Sequence, residues 1–486
     1  MGRGGTARAG LPAAHAPQSA RGHRPHRRTA VAGPGPRRPA GAPRPGKGGG
    51  VTARGAAEAL ASGIAERLAD PWRVAAHHPV SRPAWQDLTL SEGLPGIALL
   101  HLERGHTDGE ALRTAHRWLA EATARAATAP SAAPRPSLYY GVPALSFVLS
   151  RAAAAVGRPL RAAERLGAQL RRYARDAAAR ELRRRPGDGE CVSMAAYDVV
   201  SGLTGLGAQL LDDAPGRDAL ADVLAALVAL TVPVRLKGGR TLPGWWTAQG
   251  PGSGYPPTTP EAGHANAGLA HGAPGPLALF ALAWEQGVVV PGQEAAMRTL
   301  ADWLADIRVR DERGTRWPRA LVLHPAGGTA VATDDAPDRP AWCYGAVGVC
   351  RALYLAGRAL DVPEWRSTAL AGFRSELARA RREDREEQAD PGLCHGWGGV
   401  LQITWRMAHD TGDPRLRDLL PWLARRVTGE AAPDEPFGLR HRPPQHGRAA
   451  DRAGFLTGAA GTALALRTFA TDTAPATGWD RALLIA

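Results

Sequence analysis

Two cysteines and a histidine occupy matching places before two copies of a repeated glycine motif. Cys343 lies two residues before Gly345, and Cys394 and His395 come directly before Gly396. Two thiolates and one imidazole form a donor set that suits Zn²⁺ with its fourth position open, whereas four protein donors are typical of structural sites. The sequence therefore predicts a catalytic zinc ion on Cys343, Cys394 and His395. The alternative, two ordinary buried cysteines, is weakened by their identical offsets and by the adjacent histidine.

Two further reactive side chains precede the same motif in neighbouring copies. His271 comes immediately before Gly272, and Asp198 lies four residues before Gly202. If the motifs open helices that form a ring, these side chains converge with the cysteines at one end of it. His271 could instead be a buried histidine that holds its turn, and Asp198 could be a helix N-cap.

The motif G-x-x-G recurs along the chain, and each copy opens an apolar stretch. The copies begin at Gly93, Gly202, Gly272, Gly345, Gly396 and Gly458, and a seventh at Gly141 has Ala144 in place of its second glycine. The first glycines lie between 48 and 73 residues apart, which leaves room for two helices in each interval. Repetition at such a period is typical of repeat architectures.

Two kinds of helix are predicted within each repeat. The stretches after the motifs, such as LTGLGAQLL, are apolar on every side and must be buried. The segments between them are amphipathic: in residues 293–307, Ala296, Leu300 and Leu304 share one face. The pattern predicts two concentric rings of helices with the apolar helices inside. Strand signals are sparse, and only residues 231–245 are predicted to form a hairpin, with its turn at Gly238 and Gly239.

The positive charge of the chain is concentrated at its N-terminus. The net charge is +14, but residues 1–54 contain eleven Arg or Lys and no Asp or Glu, so the remainder is nearly balanced. Residues 1–55, rich in Gly, Pro and Arg, are predicted to be a disordered basic tail, and residues 56–486 a single repeat domain. A balanced body gives no reason to require a nucleic-acid partner.

The cysteine content indicates a reducing compartment. Four scattered cysteines are too few for a disulfide scaffold, so we expect a cytoplasmic protein. Cys350, inside an apolar helix, is predicted to serve packing, and Cys191 to be structural. No charge-free apolar run is long enough for a transmembrane helix, and none is predicted.

Four segments carry a resemblance to a known family. They are YDVVSG (197–202), GLAHGAPG (268–275), RPAWCYG (339–345) and LCHGWGG (393–399). With these motifs, residues 56–486 resemble the lanthionine synthetase C-like family, the LanC cyclases. The resemblance implies an all-α fold, an α/α toroid of seven helical hairpins. It also implies zinc on the Cys₂His set, catalytic roles for Asp198, His271 and Arg339, and a place beside the metal for Tyr344.

Two features of the chain qualify the resemblance. Trp397 follows the Cys-His-Gly triplet where a smaller residue is more usual, and we expect it to narrow the cavity. The chain is too short for the dehydratase region of the fused synthetases. It therefore resembles the stand-alone cyclases, which rely on a separate dehydratase.

The activity that the resemblance implies is the closure of thioether rings in a dehydrated precursor peptide. Cysteine thiols would add to dehydroalanine or dehydrobutyrine, giving lanthionine or methyllanthionine. His271 would be the acid, Arg339 would orient the carbonyl, and Asp198 would either hold His271 in its tautomer or receive the thiol proton.

Two other functions stay open from the sequence. A zinc-containing LanC-like protein could bind thiols or glutathione as a regulator, without cyclase activity. Another α/α toroid enzyme is less well supported. A glycosidase needs two convergent carboxylates, and only Asp198 is so placed. A zinc prenyltransferase usually has an aspartate ligand, whereas this set has two cysteines.

Overall fold

The computed structural model describes residues 52–77, 82–128, 135–184, 190–236, 239–249, 259–312, 314–323, 330–332, 340–383, 390–440 and 452–486. The predicted basic tail, residues 1–55, lies almost entirely outside these ranges, so its disorder stays a prediction.

Fifteen α-helices form the described part of the chain. Seven follow the glycine motifs and are buried: α3 (Leu94–Gly105), α5 (Val142–Val156), α7 (Leu203–Leu210), α9 (Pro274–Glu285), α11 (Ala346–Ala359), α13 (Trp397–Thr411) and α15 (Ala459–Thr471). Seven are amphipathic: α1 (Ala53–Arg67), α4 (Gly109–Thr128), α6 (Arg161–Arg183), α8 (Arg217–Ala229), α10 (Gln293–Asp306), α12 (Pro363–Glu383) and α14 (Pro414–Thr428). The remaining helix, α2 (Pro71–Ala75), is short. Across the described ranges, no helix is both long and apolar enough to cross a membrane.

The helices form the predicted α/α toroid. Each inner helix packs against the outer helix that follows it, and the N-terminal helix α1 packs against the last inner helix, α15, and its neighbour α14. The first helix of the chain therefore supplies the outer partner of the last repeat and closes the ring. The ion pair between Arg54 and Asp472, 2.8 Å apart, joins α1 to the end of α15.

The repeated glycines are needed because the chain folds tightly onto itself before each inner helix. A methyl group on the second glycine would meet the carbonyl oxygen six residues earlier, as at Gly96 with Leu90 and at Gly348 with Trp342. At the first glycine of two repeats, Gly141 and Gly345, φ is +70° and +87°, a region that glycine occupies without strain.

The C-terminal segment packs inside the ring. Residues 482–485 are fully buried. The Tyr139 hydroxyl donates to the Ala482 carbonyl at 2.9 Å, and the Trp342 indole donates to the Leu483 carbonyl at 2.9 Å. Tyr139 and Trp342 belong to the second and fifth repeats, so this segment links opposite sides of the toroid.

Seven short strands lie in the loops: β1 (Val234–Arg235), β2 (Thr241–Leu242), β3 (His264–Asn266), β4 (Val309–Asp311), β5 (Gly314–Arg316), β6 (Ala320–Leu323) and β7 (Ala330–Ala332). The antiparallel pair β1–β2 confirms the hairpin predicted in residues 231–245, and Gly238 of its predicted turn lies outside the described residues. The sheet β3–β6–β7 and the pair β4–β5 were missed, because strands of three or four residues are too short to show an alternating pattern.

The glycine geometry yields a stability prediction with an internal control. Gly96→Ala would place a methyl group against the Leu90 carbonyl and 2.7 Å from the Phe455 side chain. We expect a loss of about 1–3 kcal/mol in the free energy of unfolding. Gly63→Ala, in α1, meets nothing within 4 Å and should be neutral or stabilising by up to about 1 kcal/mol. Denaturant unfolding measures both, and equal effects would contradict the packing argument.

Candidate metal centre

Two adjacent positions precede the first glycine of every repeat, and they differ in environment. We call the residue immediately before that glycine the rim position, and the residue before it the ring position. The ring residues are Ser91, Tyr139, Val200, Ala270, Cys343, Cys394 and Leu456. The rim residues are Glu92, Tyr140, Ser201, His271, Tyr344, His395 and Thr457.

Backbone hydrogen bonds between ring positions connect one repeat to the next. The Ala270 amide donates to the Cys343 carbonyl at 3.4 Å, and the Cys343 amide donates to the Cys394 carbonyl at 3.3 Å. The Cys394 amide donates to the Leu456 carbonyl at 2.9 Å, and the Leu456 amide donates to the Ser91 carbonyl at 2.9 Å. Five consecutive repeats are thus linked through the backbone that carries the two cysteines.

The seven rim residues occupy equivalent places around one end of the toroid, and we call the space that they surround the hollow. All seven are partly exposed, whereas five of the seven ring residues are buried. Because the ring bonds align the repeats, rim side chains from different repeats lie around the same opening. The structure therefore brings His271, Tyr344 and His395 to one end of the toroid.

The Cys₂His set fits a zinc ion. The ligand atoms of Cys343, Cys394 and His395 all lie within 4.8 Å of one another, and Cys343 Sγ is 3.2 Å from His395 Nδ1. A hydrogen bond with Cys394 holds the pKa of the Cys343 thiol well below its usual value. His395 adds to this effect, and together they outweigh the opposing effect of burial. A thiol that ionises readily beside a second cysteine and an imidazole is the donor chemistry that zinc takes.

Asp198 and His271 form a hydrogen-bonded pair beside this set. His271 Nδ1 is 2.9 Å from Asp198 Oδ2, and the Asp198 side chain is almost completely buried. Burial alone would lower the pKa of His271, but the hydrogen bond and negative charge of Asp198 outweigh it, so the pKa is raised. The Ser201 hydroxyl donates to Asp198 at 3.0 Å, a contact that sequence reasoning missed.

Tyr344 lies next to His271, with their ring centroids 6.4 Å apart. Asn266 Nδ2 donates to the Tyr344 hydroxyl at 3.1 Å, and the Arg319 guanidinium lies 4.9 Å from the Tyr344 ring centroid. Burial raises the pKa of Tyr344. Asn266 belongs to β3 and Arg319 directly precedes β6, so the missed sheet and its approach supply two of the residues that contact this tyrosine.

The structure tests the prediction made for Trp397 but not the one made for Arg339. Arg339 lies outside the described residues, so its role stays a prediction. The expectation that Trp397 narrows the cavity is wrong, because its side chain is buried against the outer helix. Its ring packs edge-on against Trp422 of α14 at 5.4 Å, with the Arg426 guanidinium 5.6 Å away.

The two remaining cysteines lie apart from the metal site. Cys350 is fully buried in α11, where desolvation raises the pKa of its thiol, and its packing role is confirmed. Cys191 is half-buried, and its carbonyl accepts a hydrogen bond from Arg184 at 2.7 Å.

The fold and this constellation of side chains together define a class of protein. The family model described as lanthionine synthetase C-like protein matches residues 84–484, and the chain belongs to this family. Among solved structures, nisin cyclase is similar, with a TM-score of 0.64 and 19% sequence identity over 87% of this chain and 96% of that one. At this identity the likeness establishes a shared fold. No curated protein matches the sequence.

Metal content tests the ligand assignment. Cys394→Ala should lose most of its zinc because it removes one of the three protein donors found among the described residues. Cys191→Ala is the matched control, since it also removes one thiol but lies outside the cluster, and it should keep its zinc. Elemental analysis of the dialysed proteins measures both. Full zinc retention in Cys394→Ala would rule out this ligand set.

Proposed function

We propose that this protein is a zinc-dependent lanthipeptide cyclase. It would add cysteine thiols of a dehydrated precursor peptide to dehydroalanine or dehydrobutyrine, forming lanthionine or methyllanthionine. The observation that carries the proposal is the Asp198–His271 pair, whose histidine lies on the rim with His395 of the Cys₂His set. Thiol addition to an alkene needs both an ionised sulfur and a proton donor, and these two groups are suited to those tasks.

Cys343, Cys394 and His395 would hold the zinc ion. When bound there, zinc would lower the pKa of a substrate thiol in its open position, so that the thiol ionises near neutral pH. The buried thiols of Cys343 and Cys394 sit at ring positions, while His395 stands on the partly exposed rim. A peptide would therefore reach this site from the hollow.

His271 is the proposed proton donor. Its Nδ1 is occupied by Asp198, so Nε2 is the nitrogen left to serve the substrate. The substrate sulfur bonds to the β-carbon of the alkene, and the α-carbon takes one proton, so the addition has no by-product. Asp198 would stabilise the imidazolium and fix its orientation, and Ser201 would hold the carboxylate in place.

Tyr344 and Arg339 would act on the carbonyl of the dehydrated residue. The Tyr344 oxygen accepts a hydrogen bond from Asn266, so the tyrosine hydroxyl can still donate its own hydrogen. It would donate to the carbonyl oxygen of the dehydrated residue, on which negative charge develops during the addition. Arg339 is proposed for the same task on the strength of the family resemblance alone.

The cellular setting follows from the same proposal. A stand-alone cyclase requires a separate dehydratase to supply its dehydrated peptide. The cytoplasm is the proposed location, because all four cysteines lie in described parts of the chain and none forms a disulfide.

A thiol- or glutathione-binding regulator would need only the metal set. It would have no use for a buried carboxylate that raises the pKa of a neighbouring histidine at the rim. The Asp198–His271 pair therefore favours the cyclase over this second function.

His271→Ala separates proton transfer from metal binding. The variant should keep its zinc, while ring closure slows by about 10²–10⁴-fold, the usual contribution of a positioned acid. The substrate is a synthetic peptide with one dehydroalanine and one cysteine, and ring closure is measured as loss of thiol labelling by mass spectrometry. His116→Ala, on the exposed face of α4, is the matched control.

Each other outcome has a definite meaning. Loss of zinc in His271→Ala would make His271 a ligand, and an unchanged rate would remove it from the mechanism. If the wild-type protein closes no ring above the enzyme-free rate yet binds glutathione, the cyclase proposal fails in favour of the thiol-binding function.

The rate of ring closure should depend on pH through His271. The acid must be protonated, so kcat/KM should fall as pH rises through its raised pKa. Because Asp198 is what raises that pKa, Asp198→Asn should move the alkaline limb to lower pH. A pH profile of kcat/KM for both proteins measures the shift. An alkaline limb that stays in place would show that His271 is not the group that titrates.

A further inference from the structure

Three rim residues have no part in the proposed metal or proton chemistry. Thr457, Glu92 and Tyr140 belong to the seventh, first and second repeats and are partly exposed like the other rim residues. The ring bond from Leu456 to Ser91 joins the seventh repeat to the first. These three side chains therefore continue the rim from His395 around the side of the hollow that faces His271.

With respect to the described residues, the Glu92 carboxylate can still accept hydrogen bonds although two arginines lie beside it. Its carboxylate is 3.6 Å from Arg452 Nη1 and 3.9 Å from Arg82 Nη1, both beyond ordinary hydrogen-bond length. The Glu92 side chain is 37% exposed and the Arg452 side chain 42% exposed. Arg82 is committed elsewhere, because it donates to Asp87 at 3.1 Å and to the Glu92 carbonyl at 2.9 Å.

Tyr140 lies on the rim between the first and third repeats. The Leu90 amide donates to the Tyr139 carbonyl at 3.0 Å, which places Tyr140 next to Glu92, and Ser201 of the following repeat donates to Asp198. Burial, and then the negative charges of Asp198 and Glu92, raise the pKa of Tyr140, in keeping with this position. Its ring packs against Trp85, with centroids 6.1 Å apart. The rim between Glu92 and His271 thus carries an aromatic side chain.

We propose that Glu92 and Arg452 bind the main chain of the peptide substrate, farther along the rim from the metal ligand His395. The identity of the ligand rests on the proposed cyclase function. Glu92 would accept a hydrogen bond from a peptide N–H, and Arg452 would donate one to a peptide C=O. A lysine side chain is the less suitable ligand, because two guanidinium groups within 4 Å of Glu92 would repel an incoming cation.

Steady-state kinetics on the synthetic peptide tests this subsite. Glu92→Ala should raise KM about tenfold, equivalent to about 1.4 kcal/mol, while kcat stays within about twofold because the reacting groups are untouched. Glu92→Gln should show a smaller rise, since its amide oxygen still accepts. Arg452→Gln provides a second variant at an exposed position, with the same expected rise in KM.

The control is Glu294→Ala. Glu294 forms a comparable ion pair with Arg298, 2.8 Å apart and half-exposed, on the outer helix α10, so its loss should leave KM unchanged. Zinc content and thermal unfolding of every variant show whether the fold and the metal site survive. An unchanged KM in folded Glu92→Ala, or an effect confined to kcat, would overturn the proposal.

A thiol-free probe separates this inference from the cyclase proposal. The labelled peptide has alanine in place of its cysteine and its dehydroalanine, and fluorescence anisotropy measures its binding without any reaction. Glu92→Ala should weaken binding about tenfold. If the wild-type protein closes no ring, the cyclase proposal fails and the anisotropy result alone decides the subsite. A probe with an added lysine that binds more tightly, and only to the wild type, would replace main-chain binding by recognition of a cation.

Discussion

The arrangement of the site depends on the backbone hydrogen bonds that join the repeats at their ring positions. The amide of Cys343 donates to the Cys394 carbonyl, and its own carbonyl accepts from Ala270. The bonds that align neighbouring inner helices are thus the bonds that bring two cysteines, 51 residues apart in the sequence, to within reach of one metal ion. Closure by α1 against α15 keeps the whole ring in register.

The ring and rim positions give the reactive side chains two different environments. The ring side chains of Cys343 and Cys394 are buried, where low dielectric strengthens their interactions with neighbouring groups. The rim side chains meet solvent and can meet a peptide. His271 combines both environments: burial opposes its charge, and the Asp198 carboxylate more than compensates for that opposition. One buried carboxylate thereby favours the protonated form of a histidine on the rim.

The seven repeats share a backbone fold, but they differ in the side chains that they contribute to the site. Reactive side chains occupy the third to sixth repeats, while the second has Ala144 in place of its second glycine and has its first glycine, Gly141, at positive φ. Its Tyr139 holds the buried C-terminal segment. Repeats that carry no reactive side chain are still needed to complete the ring, because a toroid with a gap would leave apolar inner helices exposed to water.

The sequence by itself determined the repeat number, the two-ring fold and the residues that gather at the site, because periodic glycines and apolar stretches report local turns and burial. Only the tertiary structure decided what each side chain meets there. The contacts of Ser201 with Asp198 and of Asn266 with Tyr344, and the outward orientation of Trp397, could not be predicted. The same holds for the sheet β3–β6–β7 beside the site. These contacts join segments that lie far apart in the chain, and contacts of this kind produce no periodic pattern in the sequence. Side-chain directions near a turn depend on the packing around it.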